Sequence, residues 1–440
     1  MTTAHRPRLR RGLITLVGAL SVTTLALAGC AAGDSGSTGS GTDSEKFTVL
    51  LNDENQNVKP VLEALSTGAC ATEEAAQPLE FSSIPQGDMD ANNQLLASQD
   101  SLPTLFSAGG TPSEAAKLDK AGKLVHFDDA LAALDATDDV LPSAKAVIEK
   151  LYGGNFVMLP SQYNIEGIFY NKQIFADLGI EVPTTWDELN DAAAKVQAAG
   201  YTALSASGNQ GWPLTRLISG YLFRTVGPDA LKAVQDGTAK LTDPEYVAAA
   251  QAIADLGAAG YFGANVTSLD YDGATNEFLT GKAAMIYMGS WLLGNINDPA
   301  QNKLPADSVG FMPFPAVDGG KGAIDQYPAN VGVAITMSSS TFGPNAQAWL
   351  KCIADNFGTD SLKNQNTISG FAVNTPVDVP AITQEVLDRM ADGGEGVLWF
   401  EALFNAKAGQ DSSDNAPLLV TGQISPEDFM KTLQTDLDAG

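Results

Sequence analysis

The residues of this chain that are able to do chemistry are tryptophans, amides and carboxylates at the ends of apolar stretches. The usual catalytic groups are scarce. Of the two histidines, His5 lies among N-terminal arginines, which leaves His126 for the rest of the chain. A Ser-His-Asp arrangement therefore has one candidate base, and a His-rich metal site has too few ligands. The sequence contains no Gly-x-Ser-x-Gly elbow, no His-Glu-x-x-His and no Cys-x-x-Cys. Gly281-Lys282-Ala283 lacks both the upstream glycine and the Ser or Thr of a P-loop. Asp88-Met89-Asp90-Ala91-Asn92 opens like a calcium loop, but Asn93 stands at the glycine position and Gln99 replaces the bidentate acid. It reads as an acidic helix start. No catalytic residue, metal or cofactor is expected. With 52 acidic residues a carboxylate pair for glycoside hydrolysis stays open, because such a pair needs only a separation of about 5 Å or ~6.5–9.5 Å.

What the chain offers instead suits a sugar. Sugars present apolar C–H faces, which aromatic rings cover, and hydroxyls, which Asp, Glu, Asn and Gln satisfy. Trp212 stands in the loop Asn209-Gln210-Gly211-Trp212-Pro213 that opens a helix, and Trp399 lies beside Phe400 and Glu401. All three of Trp212, Trp399 and Glu401 are candidate ligand contacts. Trp291 follows Gly289-Ser290 at the end of an apolar strand and serves either a ligand or the core. Asn52 and Glu54 belong to a polar loop, residues 52–56, at the carboxyl end of the first strand, where open α/β sheets bind ligands; the alternative is a solvated turn. Asp272 precedes a helical stretch at 274–279 and either caps it or contacts ligand. Trp349, in Ala-Gln-Ala-Trp-Leu, belongs to a core helix.

Strand-like runs at 47–51, 79–84, 104–106, 155–160 and 168–170 would position these groups. They alternate with helical stretches at 91–99, 172–178, 185–199 and 342–357, the pattern of an α/β fold with mainly parallel sheet. Thr185 and Glu188 form a capping box that starts the third of these helices and puts Trp186 in its first turn, in a structural role. Residues 377–440 read as helical. The chain has 440 residues, room for two lobes.

Two blocks also resemble a known family. Tyr170-Asn171-Lys172 through Pro183-Thr184-Thr185-Trp186-Asp187-Glu188-Leu189 fits "YNKxxFxxxGxxxPxTWxEL", and Phe278-Leu279-Thr280-Gly281-Lys282-Ala283-Ala284-Met285 through Gly289-Ser290-Trp291 fits "FxxGKAAMxxxGSW". Both are motifs of the extracellular solute-binding proteins of sugar ABC importers, the maltose-binding-protein-like group known as family 1. Val309-Gly310-Phe311-Met312-Pro313-Phe314-Pro315 looks like the family's following strand. Gly422-Gln423-Ile424-Ser425-Pro426-Glu427-Asp428-Phe429 is similar to its closing "GxxSPEEA", with Phe429 where a small residue is usual. The resemblance covers roughly residues 46–440. It implies a two-lobed type II periplasmic-binding-protein fold, each lobe a mainly parallel sheet flanked by helices, with the ligand cleft between them. Lobe 1 would comprise residues 46–160 and 328–376, and lobe 2 residues 161–327 and 377–440, including the C-terminal helices. Tyr163 and Asn164 would face the cleft at the first crossing, and Asn330 at the return crossing, where a hinge role is the alternative. The family counterpart of Trp291 stacks on sugar. Tyr170, Asn171 and Lys172 would be fold-forming. The implied function is capture of an oligosaccharide by hinge closure and its delivery to the membrane subunits of an ABC importer, by a monomer. The same fold would also serve a polyamine, an amino-acid conjugate or glycerol phosphate, and a lipid-anchored glycoside hydrolase is a further alternative.

Residues 1–29 read as a signal peptide: four arginines precede an apolar run too short to be a comfortable membrane span. It ends in Leu27-Ala28-Gly29-Cys30, which looks like a lipobox, so by family analogy Cys30 carries the lipid that holds the protein on the extracellular face of the cell membrane. Residues 30–45, rich in Gly, Ser and Thr, read as a flexible tether. The net charge of −27 excludes nucleic acid and other polyanions as partners. Cys70 and Cys352 both fall in lobe 1 in an oxidising setting, either paired or as two buried thiols.

Overall fold

A computed structural model describes residues 41–53, 57–109, 112–392 and 396–439. The signal segment, Cys30 and Glu54 lie outside these residues. Among the described residues nine strands form two sheets: β1 (Phe47–Asn52), β2 (Leu79–Ile84), β3 (Leu105–Ser107), β4 (Asn164–Asn171), β5 (Thr202–Ser205), β6 (Ala283–Gly289), β7 (Val309–Met312), β8 (Ala329–Asn330) and β9 (Ile335–Met337). The first sheet runs β2-β1-β3-β9 and the second β5-β6-β4-β7, with β8 added on β4. Among the described residues no helix is long and apolar enough to cross a membrane.

The first sheet is mainly parallel, as expected: β1 pairs in parallel with β2 and β3, and β9 is antiparallel to β3. The second sheet departs from that expectation. Its central strand β4 is antiparallel to β6, β7 and β8, and only β5 and β6 run together. The parallel pattern was inferred from strand–helix alternation, which holds in the first half. In the second, β4 comes straight from the crossing and every strand paired with it runs the other way.

All eight residues of β4 are buried, which accounts for its run of Ile, Phe and Tyr. Successive side chains point to opposite faces. Ile168 and Tyr170 pack with Met285 and Tyr287 against the helix Trp212–Thr225, while Phe169 packs on the other face with Ile286 and Phe311. Asn171 then caps the helix Lys172–Asp177, its side-chain oxygen accepting from the amides of Gln173 and Ile174 at 3.0 and 3.1 Å. The Thr185–Glu188 capping box is present, and Trp186 stacks on Phe314 at 5.5 Å, a structural role. Trp349 is fully buried in the first core, which draws on residues 47–163 and 329–371 together with Leu398 and Ala402.

Three local expectations are corrected. Residues 155–160 form no ladder: only Leu159 bridges Ile335, and the apolar run serves the core instead. Residues 42–44, counted with the tether for their composition, are docked; the Asp43 carboxylate accepts from the amides of Asn345 and Ala346 at 2.9 and 3.1 Å. A helix N-terminus presents free N–H groups and a positive dipole end, which is reason enough to hold an aspartate there. The helix Tyr271–Leu279 starts earlier than read, with Asp270 as its cap and Asp272 inside its first turn.

Cys70 and Cys352 are joined in a disulfide, with Cα atoms 5.8 Å apart. A second tie is Arg224, almost wholly buried at the end of the helix Trp212–Thr225. It donates to the carbonyls of Phe314, Ala323, Ile324 and Gln326 at 2.6–3.2 Å. This pins the loop between β7 and β8, and so fixes the segment that delivers Asn330.

Candidate functional site

One cavity of about 400 Å³ gathers the aromatics and amides singled out above. It is lined by Asn57, Gln162, Asn164, Trp212, Arg216, Trp291, Asn330, Gly332, Val333 and Trp399. A larger cavity of about 810 Å³ lies elsewhere, against the helices Pro244–Ala258 and Ala406–Val420, but its walls are mostly small residues such as Gly257, Ala258 and Gly260. The smaller one has the chemistry: three indole rings, four amides beside a backbone turn, and a guanidinium.

Each ring is held by its own piece of local structure. Trp212 opens its helix because Gly211 adopts φ 71°, and a Cβ there would lie 1.8 Å from the Ser413 carbonyl oxygen. Pro213 follows in the first turn, where its missing N–H costs nothing. Trp212 meets Trp291 edge-on at 5.9 Å and stacks on Tyr271 at 6.2 Å. Trp291 folds back over the last residue of β6: a Cβ on Gly289 would come within 1.9 Å of the indole ring. Gly289→Ala should therefore leave the sheet in place, since its φ of −87° suits alanine, and push the ring out of the cavity. We expect a melting temperature close to wild type and a loss in ligand affinity of about 1–3 kcal/mol, the scale of an overpacking clash, read by calorimetry. Trp399 is placed by Val397, whose amide donates to Tyr327 and whose carbonyl accepts from Ala329, on the return crossing.

Behind the rings runs a buried polar network. Asn164 and Asn330 sit opposite each other on β4 and β8, and the Asn164 amide donates to the Asn330 oxygen at 3.1 Å. Ser290 donates to Asn164 at 3.1 Å, and Gly332 to Asn330 at 3.0 Å. Asn330 donates in turn to Glu166 at 3.1 Å. Glu166 stands on the same face of β4 as Ile168, aimed at the helix Trp212–Thr225, and there pairs with the guanidinium of Arg216. The Arg216 Nε lies 3.4 Å from Glu401, whose other oxygen accepts from the Thr215 hydroxyl. The guanidinium sits between two indoles, 5.5 Å from the Trp212 centroid and 5.3 Å from that of Trp399.

Burial pushes the Glu166 carboxyl above the usual carboxylate range, against the pull of Arg216 and the Asn330 hydrogen bond. Burial likewise drives the Tyr287 phenol, 3.4 Å from Glu166, well above its ordinary value. A carboxyl whose folded value is raised binds more protons folded than unfolded. Its contribution to stability therefore declines as pH rises from about 4.3 toward its folded value. Glu166→Gln should remove that slope. In melts between pH 4 and 7 the variant should gain on wild type as pH rises.

Of the site residues read from sequence, Trp212, Trp291, Trp399, Asn164 and Asn330 line the cavity, and Glu401 stands directly behind it. Tyr163 does not line it. It is buried in the first core, because neighbouring residues of an extended segment face opposite ways and Gln162 and Asn164 take the cavity side. Asp272 lies exposed beside a different hollow, with Thr275 and Gln301. Asn52 is buried at the end of β1, outside the lining. His126 pairs with Asp119 at 2.8 Å away from the site. Arg216, Glu166 and Gln162 were missed. An arginine four residues after Trp212 in a largely apolar helix, and a lone acid in an apolar strand, were the available signals.

The profile of the bacterial extracellular solute-binding proteins matches residues 79–356. Over 172 residues the chain is 30% identical to the multiple sugar-binding protein of Streptococcus mutans, covering 37% of this chain and 39% of that one. Over 184 residues it is 28% identical to the sn-glycerol-3-phosphate-binding periplasmic protein of Salmonella paratyphi A, covering 40% of each. These matches thus span about two fifths of the curated relatives' length. The fold matches more fully a structure from work on xylan utilization by Caldanaerobius polysaccharolyticus, with TM-score 0.75, 22% identity, and coverage of 89% of this chain and 99% of the other.

Proposed function

The chain belongs to the family of bacterial extracellular solute-binding proteins, and from that premise we propose that it captures a saccharide and hands it to the membrane subunits of an ABC importer. The observation that carries the saccharide reading is the lining: three indoles with Gln162, Asn164 and Asn330 in one cavity. Indole faces match the C–H faces of a pyranose and the amides match its hydroxyls. Among the described lining residues there is no Asp, Glu or His, so none of these supplies an acid–base pair to the ligand. This favours binding over hydrolysis.

The two halves, residues 46–160 with 328–376 and 161–327 with 377–440, work as lobes joined by the crossings that carry Asn164 and Asn330. A ligand touching both favours the closed state, and only that difference in affinity moves the population. Lipid on Cys30 holds the protein, as a monomer, at the outer face of the cell membrane. Calorimetry with neutral di-, tri- and tetrasaccharides tests the reading. Trp291→Ala should weaken the best binder by about 1–2 kcal/mol, roughly five- to thirtyfold, the worth of a lost aromatic face. An unchanged affinity would count against Trp291 as the stacking platform.

A further inference from the structure

The charges around the cavity point to a selection rule that nothing else assigns. Arg216 is the one charged residue among the described lining residues, and it is already committed. Glu166 takes one edge of its guanidinium and Glu401 flanks another at 3.4 Å. It also lies over the rings of Trp212 and Trp399, 5.5 and 5.3 Å from their centroids. The group is thus engaged by two carboxylates and two indole rings before any anion arrives. Glu401 is itself fixed, since the Thr215 hydroxyl donates to its other oxygen.

From this geometry we propose, resting on the saccharide reading above, that Glu401 is a specificity-determining residue that makes the cleft accept uncharged saccharides and turn away carboxylated or phosphorylated ones. An acidic ligand at the tryptophan rings meets a cation already neutralised by two carboxylates and must either pull Arg216 away from one of them or lie close to both. Like charges a few ångströms apart in a partly buried site oppose each other strongly. A hydroxyl carries no such penalty and still finds the Gln162 amide, which has no hydrogen-bond partner among the described residues.

The test is calorimetry on the full-length protein with matched probes. The first is the tightest neutral binder from a di- and trisaccharide panel, and the second is the same saccharide with one hydroxymethyl oxidised to a carboxylate. Wild type should bind the acid at least about a hundredfold more weakly. In Glu401→Gln, which keeps the shape and can still accept from Thr215, that gap should shrink by about tenfold or more. The proposal is overturned if wild type binds both probes alike, or if the variant weakens both by the same factor, as a merely structural residue would. Binding of neither probe would instead overturn the saccharide reading, and this proposal with it.

Discussion

Replacing Arg216 with alanine should destabilise the folded protein by about 3–5 kcal/mol, the cost of removing one partner from a buried ion pair. The effect is large because Glu166 is fully buried and its remaining partners, Asn330 and Tyr287, are neutral. The Arg216 side chain is itself only 13% exposed, so solvent screens the pair little. The variant also opens the space between Trp212 and Trp399, and ligand affinity should fall with stability. Arg216→Met with Glu166→Gln separates the two effects. With that pair gone, part of the stability should return, because well-packed neutral groups replace such pairs at little cost, while Glu401 keeps its charge. Binding should not recover, since Glu401 is then left without its cation. Urea denaturation of wild type, single and double variants measures the stability arm. A single variant as stable as wild type would mean that water, not Arg216, compensates Glu166.

Loss of the disulfide should cost a similar amount. Cys70 and Cys352 lie 282 residues apart, so the bridge closes a very long loop in the unfolded chain. Chain-entropy reasoning and typical measurements put its contribution at about 2–5 kcal/mol. Both residues sit in the first core, Cys70 just before the helix Ala71–Ala76 and Cys352 within the helix Pro344–Gln365. The double substitution Cys70→Ala, Cys352→Ala should thus lower the denaturant midpoint without altering saccharide affinity, because the cavity lies at the crossings. Equal midpoints for wild type and variant, or a matching loss of binding, would contradict this.

Much of the scaffold was legible because its signals are local. Asn171 and the Thr185–Glu188 box are caps, and caps are written in three or four consecutive residues. Trp212 and Trp291 were legible for a related reason: each stands at the end of an element, where a large ring has no packing partner within its own segment. What stayed hidden depends on contacts distant in sequence. Arg216 reads as a polar residue in a largely apolar helix until β4 brings Glu166 against it, and Glu401 comes from 185 positions further along. Tyr163 was misplaced because the crossing was treated as a point. It is an extended segment with two sides, and only one of them faces the cavity. The run at 155–160 was read as a strand from its apolar residues, yet burial in a core and pairing in a ladder call for the same residue types. Asp43 was read from its Gly- and Ser-rich surroundings, whereas its position is set by a helix that begins 301 residues later, at Pro344.

The most direct test of the account is a saturation titration of intrinsic tryptophan fluorescence with neutral saccharides, followed by chromatography of the recovered sugar. A saturable change is expected for at least one saccharide, lost or strongly weakened in Trp291→Ala, with the sugar returned intact. No saturable response across the panel, or recovery of shortened sugar, would contradict it.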